Sequence, residues 1–500
     1  MTLIRVPAGS GAPGDLRAIR LLIIPVFNMH DPSHQPRQLS IVMTFASPRL
    51  SRHDVLVTLP KMIGNVPSQQ YGKDSLQAFD NMGMLELAVS DATNERVWFV
   101  KRATCGDVSL QFNALPRPVD ADTPPGPRVD LREQFGGILG VGSSFLPLPP
   151  NRNSDAQYES TIEWDLGQSP YGTRTVCSFG EGTGPIRRKG SPSLLRDPVF
   201  GVGPLRRLVN NDKTPSGALF NVFCASEADP YRIFLRETPR GNGGTAFRRS
   251  FMFEYDKDIL RLERFVFPVL AHEMVHNWPL LNKESDGSND DLDTGDENWY
   301  SEDDAAARFG LRNKKYLLGE LNSYLSGYYT NPVIKMTNEE ATRRSWEEPN
   351  ALRLRYSRGF TYLLKVGAQV WEKTAGRTSI DSIVYELLER KRRGKSHMLQ
   401  DWLIIIEREL GHTGVDEYHD MANGVLVVPP ADFPPAKYKM KLVRQDQEVL
   451  EFVFSQDSIN TRRIRGLKPG SRADQAGLKE GDKILESSFF IGKPATTLRR

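Results

Sequence analysis

Ala271-His272-Glu273-Met274-Val275-His276-Asn277-Trp278 sets two histidines four residues apart with a glutamate beside the first. On an α-helix residues i and i+4 share a face, so both imidazoles reach one metal ion while Glu273 sits one step round, next to an open coordination position. Eight histidines in 500 residues make such a pair common enough by chance that its surroundings must carry the reading. Phe265, Val266, Val269 and Leu270 make the preceding segment apolar, and Pro268 and Pro279 bracket one short helix. Proline is accepted at a helix start and prevents continuation past its end. The plain alternative, two histidines satisfied inside a core helix, is disfavoured because His and Glu are seldom buried without partners.

A zinc ion held by two histidines needs a third protein ligand and keeps a fourth position for water. Residues 281–304 hold ten Asp or Glu and one basic residue, Lys283, and end in Trp299-Tyr300-Ser301-Glu302-Asp303-Asp304. Ser301 suits a helix cap and the acids suit a first turn, so Glu302 is the preferred third ligand, with Glu297 and Asp296 as alternatives. Asp291, Asp293 and Glu302 also stand at relative positions one, three and twelve of a calcium loop. Gly295 and Asp296 are in the wrong order for its sharp turn, which favours a solvated acidic loop around a cationic site.

At about 150 residues per domain, a chain of 500 residues implies roughly three units. Its 39% hydrophobic content, 25% charge and net charge of +3 describe an ordinary globular chain with no demand for nucleic acid or an anionic membrane. The longest apolar runs, such as Leu21-Leu22-Ile23-Ile24, are too short to span a bilayer, and no signal-peptide pattern opens the chain. A cytoplasmic protein is expected. Cys105, Cys177 and Cys224 form no CxxC pair and read as free thiols, in keeping with a reducing compartment.

Up to about residue 190 the pattern is β-rich. Val55-Leu56-Val57-Thr58-Leu59, Leu85-Glu86-Leu87-Ala88-Val89 and Val108-Ser109-Leu110-Gln111-Phe112 alternate with period two, and Ser90, Asp91, Thr93 and Asn94 supply turn chemistry for a hairpin from Val89 to Val97. The proline-rich segments 116–127 and 146–150 read as loops or sheet crossings. Gly136-Gly137-Ile138-Leu139-Gly140-Val141-Gly142 lacks the spacing of a dinucleotide fingerprint and a lysine-serine ending, and reads as a flexible loop. Further on, Ser250-Phe251-Met252-Phe253-Glu254-Tyr255 follows the glycine-rich segment 241–247 and alternates like an edge strand approached closely by another backbone, for which a substrate is the candidate.

In this combination the chain resembles the glycyl-aminopeptidase family of gluzincin zinc metallopeptidases, over most of residues 190–486. In that family a Gly-Gly-x-Glu-His segment precedes the metal helix, the motif reads His-Glu-x-x-His-x-Trp, and the third ligand lies in Trp-x-x-Glu-Gly. Here the same order is kept by Gly243-Gly244-Thr245-Ala246-Phe247, by His272 to Trp278 and by Trp299-Tyr300-Ser301-Glu302-Asp303. A Tyr-x-Lys-Gly segment of the family, whose tyrosine steadies the transition state, is matched by Tyr356-Ser357-Arg358-Gly359, leading into an apolar-faced helix through Phe360, Leu363, Leu364, Gly367 and Trp371.

The resemblance implies a multidomain protein: an N-terminal β-sheet domain over residues 1–190, a thermolysin-like, mainly helical catalytic domain over 191–428, and a C-terminal PDZ-like domain over 436–500. It implies Zn2+ held by His272, His276 and Glu302, with Glu273 as general base, Tyr356 as oxyanion partner and Gly243, Gly244, Thr245 and Ala246 along the substrate, which is a peptide or protein. Two departures stand out. Ala246 and Phe247 replace the Glu-His pair that holds a free amino terminus, a charged contact no methyl group can make, so endopeptidase or altered exopeptidase action fits the residues better. Asp303 stands where the family has glycine.

Downstream, Ile380, Ile383, Val384, Leu387 and Leu388 line one face of a helix started by a Thr378 to Asp381 box, and the basic run 390–395 reads as cations at its C-terminus. A boundary falls in the proline-rich segment 428–435. Residues 466–485 resemble the strand, short helix and turn of a PDZ domain, but Val449-Leu450-Glu451-Phe452 has no glycine where a carboxylate-binding loop is expected, so the module reads as incomplete. A catalytically silent relative that binds peptides or proteins is the competing expectation. Neither nucleic acid nor a membrane is an expected partner.

Overall fold

The computed structural model describes residues 17–28, 36–120, 123–124, 126–150, 157–208, 219–223, 231–239, 243–247, 250–255, 314–345, 348–393, 399–431, 443, 463–484, 486–487 and 498–499. Its first part is built on a seven-stranded sheet in the order Ile186–Gly190, Tyr158–Trp164, Arg17–Phe27, Pro36–Phe45, Val108–Ala114, Gln77–Asp80, Gly83–Leu85. Period-two alternation puts Ile19, Leu21 and Ile23 on one face with Leu39, Ile41, Met43, Leu110 and Phe112, all buried. Against that face packs a three-stranded sheet of Val55–Pro60, Glu95–Val100 and Leu87–Asp91, whose Val57, Leu59, Trp98 and Val100 join the same core. Tyr71 bridges the layers: its ring meets Trp98 and Phe112 edge-on at 6.5 and 5.4 Å, and its hydroxyl donates to the Phe145 carbonyl at 2.7 Å.

The hairpin expected between Val89 and Val97 forms, with Asp91 opposite Arg96 and joined to it at 2.7 Å. The run 85–89 is not one strand, however. Leu85 ends a strand of the large sheet, Leu87 begins one of the small sheet, and Glu86 between them points out to Lys101 at 3.0 Å.

A second correction concerns the glycine run. Gly137–Val141 is a fully buried strand, paired with Arg132–Gln134 and Val199–Gly203 in a five-stranded sheet. Phe135 and Gly136 form the two-residue turn, both at positive φ (50° and 78°), as a type I′ hairpin requires. The glycines serve packing: a Cβ on Gly140 would lie 2.5 Å from the Leu131 Cα, and one on Gly137 2.8 Å from the Val202 carbonyl oxygen. Close backbone approach, not loop freedom, accounts for them.

A further five-stranded sheet runs Arg206–Leu208, Leu219–Phe223, Tyr231–Glu237, Ser250–Tyr255, Gly243–Phe247. Ser250–Tyr255, expected at the edge, is an inner strand, parallel to Tyr231–Glu237 on one side and antiparallel to Gly243–Phe247 on the other. Phe251, Met252 and Phe253 are buried in succession, so both faces are covered, and among the described strands the edge passes to Gly243–Phe247.

The helical region comprises Lys314–Tyr329, Asn338–Arg343, Pro349–Lys373, Ile380–Arg392, Leu399–Leu410 and His412–Ala422. Thr337 caps the second, its hydroxyl accepting from the Glu340 amide at 3.1 Å, and Pro349 opens the third. They enclose a core of Leu354, Tyr362, Val366, Leu387, Trp402 and Ile406. In Pro349–Lys373 the buried stripe runs through Ala351, Leu354, Arg358, Thr361, Tyr362 and Val366. Of the stripe expected through Phe360, Leu363, Leu364, Gly367 and Trp371, Gly367 is buried, Phe360, Leu363 and Leu364 are half-buried with Leu363 packed against the core, and Trp371 is 40% exposed. Ile383 and Leu387 face the core as expected, but the reciprocal hydroxyl contacts at the helix start are those of Ser379 and Ser382, one residue beyond Thr378 and Asp381.

Residues 463–484 hold a small apolar cluster of Ile464, Ala473, Leu478 and Ile484 around the one-turn helix Arg472–Gln475, capped by Ser471. The Glu480 carboxylate accepts from the Gly466 and Leu467 amides at 3.0 and 2.9 Å. The segment 449–452 lies outside the described residues. Among those described, Cys105 and Cys177 are free thiols and no helix is long and apolar enough to cross a membrane.

Candidate functional site

His272, Glu273, His276 and Glu302, with the alternatives Glu297 and Asp296, lie outside the described residues, as does the acidic stretch 281–304. Among the described residues no group of three or more His, Cys, Asp or Glu is placed to hold a metal ion. The remaining predicted residues, Tyr356 and the strand Gly243–Ala246, are in view.

Tyr356 lies well inside the helix Pro349–Lys373 rather than before it, and is half-buried. One turn on, Phe360 stacks on Tyr324 of the helix Lys314–Tyr329, with ring centroids 4.8 Å apart and planes at 28°. Arg358, which takes the place of the family's lysine, is buried and held by its own fold through both terminal nitrogens. It donates to Asn338 Oδ1 at 2.8 Å and to the Ile334 and Met336 carbonyls at 2.8 and 2.6 Å, tying the helix to the preceding turn. Burial pushes its pKa below the ordinary guanidinium value.

Gly243–Phe247 has two distinct faces. Gly244 and Ala246 lie opposite Phe253 and Phe251, while Gly243, Thr245 and Phe247 lie opposite Glu254, Met252 and Ser250. On this second face Phe247 is buried with Val129, Leu139 and Met252, so it is a core residue. The Thr245 hydroxyl accepts from the Arg128 amide at 2.8 Å, and the Arg128 guanidinium lies over Gly243, its Nη2 2.3 Å from where a Cβ would stand.

Beneath that strand is a buried charge cluster that sequence reading missed. Arg236 donates to Glu254 Oε1 at 2.7 Å, to Asp130 Oδ1 at 2.5 Å and to the Asp130 carbonyl at 2.6 Å. Arg132 contacts Glu254 at 2.8 Å and Asp130 at 3.0 Å, Arg128 contacts Glu254 at 3.1 Å, and Arg117 reaches Asp130 at 3.3 Å. Burial lowers the Arg236 pKa, and the Glu254 and Asp130 carboxylates more than reverse this, leaving it above its ordinary value. The available signal was Arg128-Val129-Asp130-Leu131-Arg132, charges alternating with apolar residues, which the structure places in a turn leading into the strand Arg132–Gln134.

A shallow cleft of about 340 Å³ opens between the helices Pro349–Lys373 and His412–Ala422. Of its two acids, Glu372 and Glu417, the second is already paired with Lys365 at 2.9 Å and with the Gln369 amide at 3.0 Å.

No family model matches the chain, and no curated protein matches it in sequence. Its fold is similar to the crystal structure of an aminopeptidase N family protein from Idiomarina loihiensis, with a TM-score of 0.59 over 94% of this chain and 89% of that one at 14% identity. A variant M1 zinc metallopeptidase from Deinococcus radiodurans, bound to a Tyr-Ser-Ala substrate, aligns with a TM-score of 0.46 over 83% of this chain and 94% of that one at 13% identity. Leukotriene A4 hydrolase from Saccharomyces cerevisiae aligns at 0.40 over 80% and 66% at 12% identity. The chain therefore has the multidomain fold of an aminopeptidase N family protein, β-sheets followed by a helical region.

Proposed function

We propose that the chain is a zinc-dependent metallopeptidase of the gluzincin type. The observation that carries this is the coincidence of His272-Glu273-x-x-His276 with a fold shared with an aminopeptidase N family protein. Two neutral imidazoles and one carboxylate, His272, His276 and Glu302, are a donor set that zinc accepts with a position to spare. When bound, the ion supplies Lewis acidity toward water and the scissile carbonyl. Glu273 takes the proton of the attacking water and passes it to the leaving amine, and Tyr356 donates a hydrogen bond to the developing oxyanion. The peptide lies along Gly243–Ala246, where a strand edge offers backbone groups to an extended chain. Ala246 and the buried Phe247 offer no charged group to a free amino terminus, which supports endopeptidase or altered exopeptidase action. The domain limits 1–190, 191–428 and 436–500, the PDZ-like character of the last and a cytoplasmic location belong to the same reading.

The test is metal analysis together with cleavage of matched peptides with free and blocked amino termini by the wild type and Glu273→Gln. The expected result is one zinc per chain and cleavage lowered at least 100-fold by the substitution, on the scale of lost general-base catalysis. Cleavage that survives Glu273→Gln sinks the mechanism. Binding without any cleavage favours the second reading, a silent relative that holds peptides, which the uncharged Gly243–Phe247 strand also suits.

A further inference from the structure

We propose that Arg128 is a specificity-determining residue that anchors a carboxylate of the bound peptide, so that the site selects acidic peptides. This rests on the reading that Gly243–Phe247 lines the peptide cleft.

Arg128 is a nearly buried guanidinium, its side chain 10% exposed, and its hydrogen-bonding capacity is only partly used. Nη1 donates to the Gly126 carbonyl and Nε faces Glu254, but Nη2 makes no hydrogen bond among the described residues. That free end lies over Gly243, in the volume a side chain would otherwise fill. Gly243 is thus the residue that lets an arginine reach the face of the edge strand.

Charge points the same way. The Arg128 guanidinium stands 3.1 Å from Glu254, in one cluster with Arg117, Arg132, Arg236 and Asp130. Away from bulk water a guanidinium N–H that makes no other hydrogen bond favours a charged acceptor over a neutral one more than it would in water. The strand itself, Gly243-Gly244-Thr245-Ala246-Phe247, carries no charge to oppose one.

Geometry supplies the register. A peptide added beside Gly243–Phe247, which has no outer partner strand among the described residues, places the residue opposite Gly243 on the same face as Gly243, with Cβ positions about 5 Å apart. Its side chain is then on the Arg128 side of the sheet. An Asp or Glu there meets Nη2, whereas a Gln meets the same donor without the charge. A terminal carboxylate ending at that register would meet it equally.

The experiment uses the full chain and peptides scanned with Glu or Gln at each position, each with a free or amidated C-terminus. Affinity is measured by fluorescence anisotropy on Glu273→Gln, and kcat/KM on the wild type. The expected result is a preference of about ten-fold or more for Glu over Gln at one position, the scale of one charge-assisted hydrogen bond. Arg128→Gln abolishes the preference for Glu over Gln, and Arg128→Lys restores part of it. Gly243→Ala, which displaces Nη2 while leaving the cluster charge intact, lowers the preference as well and guards against a misfolded Arg128 variant. A preference confined to free over amidated C-termini, and lost in Arg128→Gln, supports the same anchor with the terminal carboxylate as its ligand. Peptides that are cleaved with no acid preference overturn this inference and leave the peptidase reading standing. A chain that neither binds nor cleaves any peptide overturns both.

Discussion

Glu254→Gln keeps the shape of the side chain and removes one of the two carboxylates that hold three buried arginines. The side chain of Glu254 is fully buried and lies 2.7 Å from Arg236, 2.8 Å from Arg132 and 3.1 Å from Arg128. Three charge-assisted contacts at about 1.5–3 kcal/mol each would sum to more than is lost, because contacts sharing one group are not additive and the amide oxygen still accepts one bond. Breaking a buried ion pair by removing one partner costs about 3–5 kcal/mol, chiefly because the remaining charge stays buried, and that is the loss expected here. Hydrogen exchange on the amides of Tyr231–Glu237 and Ser250–Tyr255 reads it as a fall in local opening free energy. A cycle with Arg236→Gln, whose guanidinium also loses its 2.5 Å contact to Asp130, should show coupling of about 1–3 kcal/mol. A loss under about 1 kcal/mol, or additivity within about 0.5 kcal/mol, refutes the reasoning that the Glu254 carboxylate stabilises these buried arginines through its charge.

Gly140→Ala places a Cβ 2.5 Å from the Leu131 Cα inside the sheet and should cost about 1–3 kcal/mol in urea unfolding. An unchanged midpoint would show that the strand has room to shift. Tyr356→Phe, if the hydroxyl serves the oxyanion, lowers kcat about 100-fold or more with little change in KM. Retained kcat would return Tyr356 to an ordinary helix residue. The hydrogen bond from Arg102, followed by the Cys105 and Met82 amides, holds the Asp80 carboxyl well below the usual carboxylate range. Its contribution to stability is then fully present above an unfolded-state value near 4 and is lost as pH falls from there toward the depressed folded value. The difference in melting temperature between wild type and Asp80→Asn should be widest at neutral pH and close on acidification. A difference that grows below about pH 4 contradicts the assignment.

Local patterns carried what the residues alone determined. The strand at Val108, the hairpin between Val89 and Val97 and the helix face of Ile383 and Leu387 follow from patterns within a dozen residues, and all form; the strand at Val55 forms too, but with Val55 to Leu59 all buried rather than on one face alone. The His272 to His276 step is a pattern of the same kind, legible because i and i+4 share a helix face wherever the helix lies.

Only tertiary pairing decided the rest. Glu86 looks like the middle of a strand until two sheets divide at it. Gly136–Gly142 looks like a loop until Leu131 presses on Gly140 and Val202 on Gly137, leaving no room for a Cβ at either. Ser250–Tyr255 and Gly243–Phe247 exchange the inner and edge positions because parallel pairing with Tyr231–Glu237 claims the first. Arg236 meets Asp130 across 106 residues, a separation no window of sequence spans. The free face of Arg128 exists for the same reason. A guanidinium is an ordinary surface charge until a distant glycine makes space for it beneath a strand edge.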